Sequence, residues 1–267
     1  MKLSRRPNST LAVLIPEWDM PTGVSALVTT RIGGVSEGGY ASLNLGTHVG
    51  DNPARVRRNR HRLRQWLPDA VTIQWLKQVH GTEVARPRAL RAQASARLGV
   101  YTADACCVSQ PNVAAAVLTA DCLPVLFATQ DGQQVAAAHA GWRGLLDGVL
   151  EQTIQAFGQP PAMITSWLGP AIGPCHFEVG PEVRQAFLAH EQARGRNPEA
   201  VALCFLPGLA NKYLMDIYQV ARLRLQYAGI KHVSGGDSCT VCDTESWFSY
   251  RRDGAVSGRM VSLIYRT

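Results

Sequence analysis

The amino-acid sequence predicts an α/β protein with fully buried strands, and three observations carry that expectation. Short apolar runs of strand length recur along the chain, helical periodicities fall between them, and 267 residues at 46% hydrophobic content can bury a substantial core. No Pro/Ser-rich linker, low-complexity tract or convincing repeat interrupts the pattern, so residues 1–267 are expected to form one domain.

The first stretch, "MKLSRRPNSTLAVLIPEW", starts basic, but its apolar segment stops at Pro16 after about five residues, too few for a secretory core. A cytoplasmic protein is therefore expected. "SALVTTR" (25–31) reads as a strand. It is followed by "GVSEG" (34–38), which matches the G-x-S-x-G elbow of serine hydrolases, yet "GYASLN" after it cannot open the required helix. Ser36 is better read as part of a glycine turn. Asn52 and Pro53 make an N-cap and first helical residue, and Val56, Leu63 and Leu67 give the following helix a narrow apolar stripe. The same helix holds "RVRRNRHRLR" (55–64), whose six arginines supply much of the net charge of +7. Without aromatic interleaving or a zinc-finger spacing, this block reads as a solvated face, and nucleic acid is not an expected partner.

Further strands are expected at "TIQWLKQVH" (72–80), "VAAAVLTADCLPVLF" (113–127), "QVAAAHA" (134–140), "MITSWLG" (163–169) and "MVSLIYR" (260–266). Leu146, Val149, Leu150, Ile154 and Phe157 recur at helical spacing. So do Leu214, Ile217, Tyr218, Ala221 and Leu225, in a helix expected to open near Asn211 and end before Gly229. The longest apolar run is broken at Asp121, so no span of a bilayer is expected.

Seven cysteines without an export signal favour free thiols, hence metal binding or nucleophilic chemistry over disulfides. Two apolar runs, "LTADCLPVLF" and "VAAAHAGWRG", are each interrupted by one metal-competent residue, Cys122 and His139, and "KQVHG" brings His80 to the end of a third. Two imidazoles and a thiolate suit zinc, and three protein ligands leave a fourth position open, as in catalytic sites. The plainer alternative is two lone buried histidines and a core cysteine. A competing set, "HFE" (176–178) with "CTVC" (239–242), imitates the H-x-E…P-C-x-x-C signature of zinc deaminases. Its halves lie about 60 residues apart, the proline before the first cysteine is missing, and "DTESWFSYRR" does not read as the ligand-bearing helix. It is therefore set aside, as is a redox role for the C-x-x-C, which is not at a helix start.

The motifs "TTRIGGVSEGGYASLNLGTHVGD" (29–51), "NR" (59–60), "KQVHG" (77–81), "TADCLPVLF" (119–127), "AAHAGWRG" (137–144), "LGPAIGPCHFEVG" (168–180) and "SYRRDGAVSGRM" (249–260) run along nearly the whole chain. In them the sequence resembles the bacterial laccase-domain family, the YfiH-like proteins also described as multicopper polyphenol oxidase-like or purine nucleoside phosphorylase-like. Ser257 replaces a frequent threonine before Gly-Arg, and the second half of "DACC" (104–107) is variable; neither touches the proposed ligands.

The resemblance implies that His80, Cys122 and His139 are the metal-site and catalytic residues. It implies a layered α/β/β/α sandwich with mixed sheets, similar to the catalytic domain of a cytotoxic necrotising factor. It also implies phosphorolysis of adenosine, inosine, guanosine and methylthioadenosine, and deamination of adenosine, with purine nucleosides and phosphate as small-molecule partners. Zinc is the expected cofactor and copper the alternative, the latter in an older assignment of polyphenol oxidation. A metal-free cysteine hydrolase using Cys122 and His139 stays open beside them. Arg31, Arg143, Arg251 and Arg252 are candidates to hold phosphate. Asn44, Gln78 and Ser249 are candidates for ribose or base, and Trp142 for stacking on a purine. Asp121 and Glu178 are the acidic candidates, but alternation along a strand turns Asp121 away from Cys122 and favours a supporting role, orienting a histidine or capping a loop. A monomer is expected.

Overall fold

A computed structural model describes residues 3–7, 9–87 and 99–267; Met1, Lys2 and Asn8 of the basic N-terminal stretch lie outside the described residues. Among the described residues, β-branched and small apolar side chains build two six-stranded sheets. The first runs in the order Leu3–Ser4, Val13–Leu14, Val24–Thr29, Met260–Arg266, Val113–Thr119 and Thr72–Gln74. Its neighbours are antiparallel except the last pair, which is parallel. The second runs His232–Gly235, Ile164–Leu168, Leu123–Thr129, Val135–Ala140, Ala105–Val108 and Val84–Ala85, antiparallel in the middle and parallel at both edges.

Period-two alternation sorts the apolar side chains into three packed layers. Val28, Val117, Met260 and Ile264 of the first sheet meet Leu126, Ala137, Val108 and Trp167 of the second between the two sheets. The other face of the first sheet, with Leu27, Ala116, Leu118 and Leu263, packs on Leu63, Trp66 and Leu67 of the arginine-rich helix. The other face of the second, with Val125, Phe127 and Ala138, packs on Leu145, Val149, Leu150, Phe187, Val220 and Leu225 of the C-terminal helices. This is the α/β/β/α layering, with mixed sheets. Leu63, fully buried, anchors the outer helix, and truncating it to alanine is expected to cost about 2–5 kcal/mol.

The arginine-rich helix spans Pro53–Trp66 as the spacing predicts, with the Asn52 side chain accepting from the Ala54 amide. Its buried positions are Val56, Asn59, Leu63 and Trp66, while Arg57, Arg58 and His61 face solvent. Ser36 is buried and donates to Asp51 Oδ2 at 2.6 Å, a structural bond within the glycine turn.

Four elements differ from their expected extents. Residues 113–127 are not one strand: the chain leaves the first sheet at Thr119 and enters the second at Leu123, turning at Asp121 with φ +86°. Because both strands are buried on both faces, the change of sheet leaves no mark in hydrophobic periodicity. The 72–80 run ends as strand at Lys77, and His80 sits in a left-handed turn at φ +61°. The helix around Leu146–Phe157 is split into Trp142–Asp147 and Val149–Ala156 by Gly148, whose φ of +104° interrupts the α-helical ladder. The later helix opens at Ile217, not near Asn211, because Asp216 caps it by accepting from the Gln219 amide, and Leu214 belongs to the short strand Tyr213–Met215.

Candidate metal centre

The crossing between the sheets is where Cys122 is presented. Its Sγ lies 3.9 Å from His80 Nε2, and the donor atoms of His80, Cys122 and His139 all fall within 4.8 Å of one another. The two imidazole rings stand edge to face with centroids 4.8 Å apart. His139 arrives from near the C-terminal end of Val135–Ala140, opposite Pro124. Gly141 follows at the start of the Trp142–Asp147 helix, and a Cβ there would stand 3.0 Å from His80 Cδ2 and 3.1 Å from Cys122 Sγ. A side chain at this position would press on His80 and Cys122, which would have to give by a few tenths of an ångström.

Asp104, fully buried, organises two of the three. Its carboxylate accepts from the His139 ring at 2.9 Å and from three successive amides, Val79 at 3.1 Å, His80 at 2.9 Å and Gly81 at 2.7 Å. The left-handed backbone at His80 is what turns these N–H groups into one concavity. Burial alone would push the Asp104 carboxyl up, but the His139 hydrogen bond and the amides outweigh it and hold it below the usual carboxylate range. With His139 Nδ1 tied to Asp104, Nε2 is left to face the thiol. Burial opposes charge on Cys122, but the His139 and His80 imidazoles more than offset it and bring the thiol down to about 6. Burial likewise opposes charge on His139, yet Cys122 and Asp104 push it up to about 9.

The three side chains open into a cavity of about 380 Å³. Its apolar walls include Leu118, Trp142, Ile172, Phe177 and Ile217, and its cationic side carries Arg251 and Arg259. Arg251 Nη1 donates to the His176 and Glu178 carbonyls, and Arg259 Nη1 to those of Ser257 and Gly258. Both guanidinium groups are thereby fixed in place. His48 also lines the cavity, and burial together with Arg259, Arg60 and the two site histidines holds it below the ordinary imidazole value.

Of the residues singled out by sequence for substrate, Arg251, Gln78 and Trp142 reach the cavity. Gln78, however, donates to the Leu118 carbonyl and accepts from its amide, both at 2.8 Å, and so staples the loop to the strand. The others lie elsewhere because local backbone groups claim them. Arg31 donates to the Ala41 and Thr244 carbonyls and lies over Phe248. Buried Asn44 bridges Gly46, Asp51 and the Arg259 amide. Ser249 is the N-cap of the Tyr250–Asp253 helix, accepting from the Arg252 amide. Arg143 is exposed over Trp142, and Arg252 holds the carbonyls of Thr240, Val241 and Trp247 while pairing with Asp253.

The acidic candidates are also engaged. Asp121 accepts from the Thr240 hydroxyl and the Arg251 amide, both at 2.6 Å, so it caps loops and does not orient a histidine. Glu178 pairs with Lys212 at 2.6 Å. Sequence reasoning missed Asp104, Arg259 and Gly141, although the last two stand inside the quoted motifs "SYRRDGAVSGRM" and "AAHAGWRG". It also set aside His176, Cys239 and Cys242 and never weighed Cys175, yet the fold unites these four in a second cluster, with donor atoms within 4.8 Å of one another. Glu178 is turned away to Lys212, so the cluster lacks the acid a zinc deaminase requires.

The comparisons agree with this architecture. Residues 25–267 match the family described as multi-copper polyphenol oxidoreductase laccase. The Escherichia coli (strain K12) protein named purine nucleoside phosphorylase YfiH is 49% identical over 255 residues, covering 95% of this chain and 98% of the relative. The Pseudomonas aeruginosa protein named purine nucleoside phosphorylase PA4543 is 46% identical over 256 residues, with the same two coverages. Among solved structures, Neisseria meningitidis protein NMB0706 superposes with a TM-score of 0.85 at 47% identity, covering 95% of this chain and 98% of that one. YlmD from Geobacillus stearothermophilus does so with 0.83 at 30% identity, covering 98% of each. The chain belongs to the multi-copper polyphenol oxidoreductase laccase family, among relatives of the YfiH type.

Proposed function

We propose that this chain is a purine nucleoside phosphorylase acting at a metal centre held by His80, Cys122 and His139, with adenosine, inosine, guanosine and methylthioadenosine as substrates and deamination of adenosine as a second reaction. The observation that carries the reading is the composition of one cavity: a three-donor metal-binding set, apolar walls and two anchored arginines around about 380 Å³. That volume lies within the range of about 300–1,000 Å³ usual for small-molecule sites. The relatives' shared name supplies the reaction class.

The donor set fits zinc: two imidazoles and a thiolate converge, Asp104 orients one imidazole, and a fourth position faces the cavity. Bound there, zinc would supply Lewis acidity toward a phosphate or water oxygen. Copper is the weaker fit, because one Cys/His₂ trio suits a mononuclear centre and four-electron oxygen reduction needs several. In this reading Trp142 and Phe177 flank the purine, and Leu118, Ile172 and Ile217 exclude water from the glycosidic bond. Arg251 and Arg259 hold phosphate; their main-chain anchors fix the forks before substrate arrives. Since Asp121 and Glu178 are engaged elsewhere, His48 is the cavity group assigned to carry a proton to the purine ring or leaving amine.

The test is a phosphate-dependence assay on adenosine and inosine, with product analysis and metal content measured on the same sample. Free base formed only with phosphate, and inosine formed from adenosine without it, are expected; both should vanish in Cys122→Ala. No nucleoside turnover by zinc- or copper-loaded protein, or full activity in that variant, sinks the reading.

One observation favours a second reading. Cys122 Sγ lies within 4.8 Å of the ring nitrogen of His139, which is held by Asp104, and this is the nucleophile, base and orienter order of a cysteine hydrolase. Turnover by chelator-treated protein, lost on alkylation of Cys122 by iodoacetamide, would select it.

A further inference from the structure

The second cluster is assembled from two distant loops. Cys175 and His176 follow the Ile164–Leu168 strand; Cys239 and Cys242 follow His232–Gly235, the strand paired with it in parallel. A bridge between Ala171 and Cys239 continues that pairing, and the Thr240 amide donates to the Ala171 carbonyl at 3.0 Å. The register between the edge strand His232–Gly235 and its neighbour Ile164–Leu168 thus delivers all four donors to one place.

Their spacing is that of a filled tetrahedron. Cys175 Sγ lies 3.7 Å from Cys239 Sγ and 3.5 Å from Cys242 Sγ. His176 Nδ1 lies 3.1, 3.8 and 3.4 Å from the sulfurs of Cys175, Cys239 and Cys242. Bonds of about 2.3 Å to sulfur and about 2.05 Å to nitrogen would give tetrahedral edges of about 3.8 Å and about 3.5 Å. One loop also aims a backbone donor at a sulfur of the other. The Gly173 amide donates to Cys239 Sγ at 3.2 Å. Gly173 permits this approach, since a Cβ there would meet Cys239 Cβ at 3.0 Å and Sγ at 3.2 Å.

We infer that Cys175, His176, Cys239 and Cys242 form a second metal site, a closed Cys₃His centre that takes zinc and has a structural role. Four protein donors fill the coordination sphere, so no position is left for water or substrate. Binding releases the thiol protons to solvent and ties the two loops together. The tie reaches the cavity wall at three points. Thr240, inside the C-x-x-C turn, donates to Asp121, the neighbour of Cys122. Phe177, next to His176, lines the cavity, and Arg251 is anchored on the His176 carbonyl. The inference is independent of the reaction proposed above, because it concerns donors outside that cavity.

Metal analysis of the full chain, expressed in zinc-supplemented medium and purified without chelator, tests it. Two zinc ions per chain are expected in the wild type, one in Cys122→Ala, and one in Cys239→Ser/Cys242→Ser. Cobalt titration of Cys122→Ala supplies a readout that does not require the double variant to fold: intense thiolate-to-cobalt charge-transfer absorption, saturating at one equivalent. One zinc per wild-type chain that Cys122→Ala removes entirely would overturn the inference. So would the lack of that absorption in Cys122→Ala, or a Cys175–Cys242 or Cys175–Cys239 disulfide as the dominant state of freshly purified protein.

Discussion

The two Cys/His clusters differ in almost every physical respect. His80, Cys122 and His139 bring three donors to the junction of two buried strands, and His139 is almost wholly enclosed. Cys175, His176, Cys239 and Cys242 bring four donors to loops, and three of them are exposed. The first opens on a cavity and is oriented through one buried carboxylate; the second has no carboxylate and receives the Gly173 amide on one sulfur. Rigidity therefore comes to the first from the fold beneath it. For the second, the donors themselves hold the loops. The expected consequence is a division of labour, in which loss of the first abolishes chemistry and loss of the second loosens structure.

The largest expected effect breaks this division directly. Cys122→Ala should reduce nucleoside turnover to background, while its stability falls by no more than the linkage of the one zinc it loses. Cys239→Ser/Cys242→Ser should do the reverse in rank, losing stability first. A site occupied at about a thousand times its dissociation constant adds about 4 kcal/mol. Chemical denaturation of both variants beside nucleoside assays measures the contrast, and equal loss of activity with equal loss of stability in both would erase it.

Asp104→Asn comes next. It keeps the shape of the side chain but removes the charge facing three amides and the His139 ring. Loss of a group that orients a metal ligand costs about 10–100-fold in metal affinity or activity, and that range is expected here. Zinc affinity by competition with a chromogenic chelator is the direct measurement. The closed site provides the internal control, since its affinity should not move.

Gly141→Ala asks how tightly the open site is packed. The added Cβ would stand 3.0 Å from His80 and 3.1 Å from Cys122 Sγ, closer than ordinary van der Waals contact. Overpacking of this kind costs about 1–3 kcal/mol, and if that strain falls on the barrier kcat should drop by roughly 5- to 150-fold, with zinc still bound. Unchanged kinetics would mean that the trio adjusts freely and is less rigid than its buried setting implies.

How far the two regions could be read from sequence follows from the same contrast. Cys122 and His139 were legible because each interrupts a run that is otherwise apolar, and a polar group in such a run demands a reason. The change of sheet at Asp121 was not, since strands buried on both faces show one unbroken apolar stretch. Asp104 is separated from His139 by 35 positions and sits beside apolar "ACCV", so nothing local announces the pair. Arg31, Asn44 and Ser249 stand in quoted motifs, yet the structure gives their polar atoms to backbone groups. The motifs mark positions that matter without saying whether substrate or main chain is the partner. The closed cluster was passed over for the opposite reason: its halves were held against a deaminase signature with a ligand-bearing helix, whereas the parallel pairing of the edge strand His232–Gly235 with Ile164–Leu168 brings them together.

The smallest expected effect lies on the link between the two regions. Thr240 stands inside the C-x-x-C turn, and its hydroxyl donates to buried Asp121 Oδ1 at 2.6 Å. Thr240→Val keeps the shape and removes that donor, leaving the carboxylate with the Arg251 amide as its other partner. A hydrogen bond to a charged group contributes about 1.5–3 kcal/mol, so the melting temperature should fall by several degrees. Because Asp121 adjoins Cys122 and fixes Arg251, a modest rise in the KM for phosphate should accompany the loss, with both zinc ions retained. Combining Thr240→Val with Cys239→Ser/Cys242→Ser in a double-mutant cycle then separates two possibilities. If the closed site acts on the cavity through Thr240, the KM effects will be strongly non-additive. Simple additivity would mean that the second centre steadies its own loops, and that Phe177 and Arg251 carry whatever reaches the cavity.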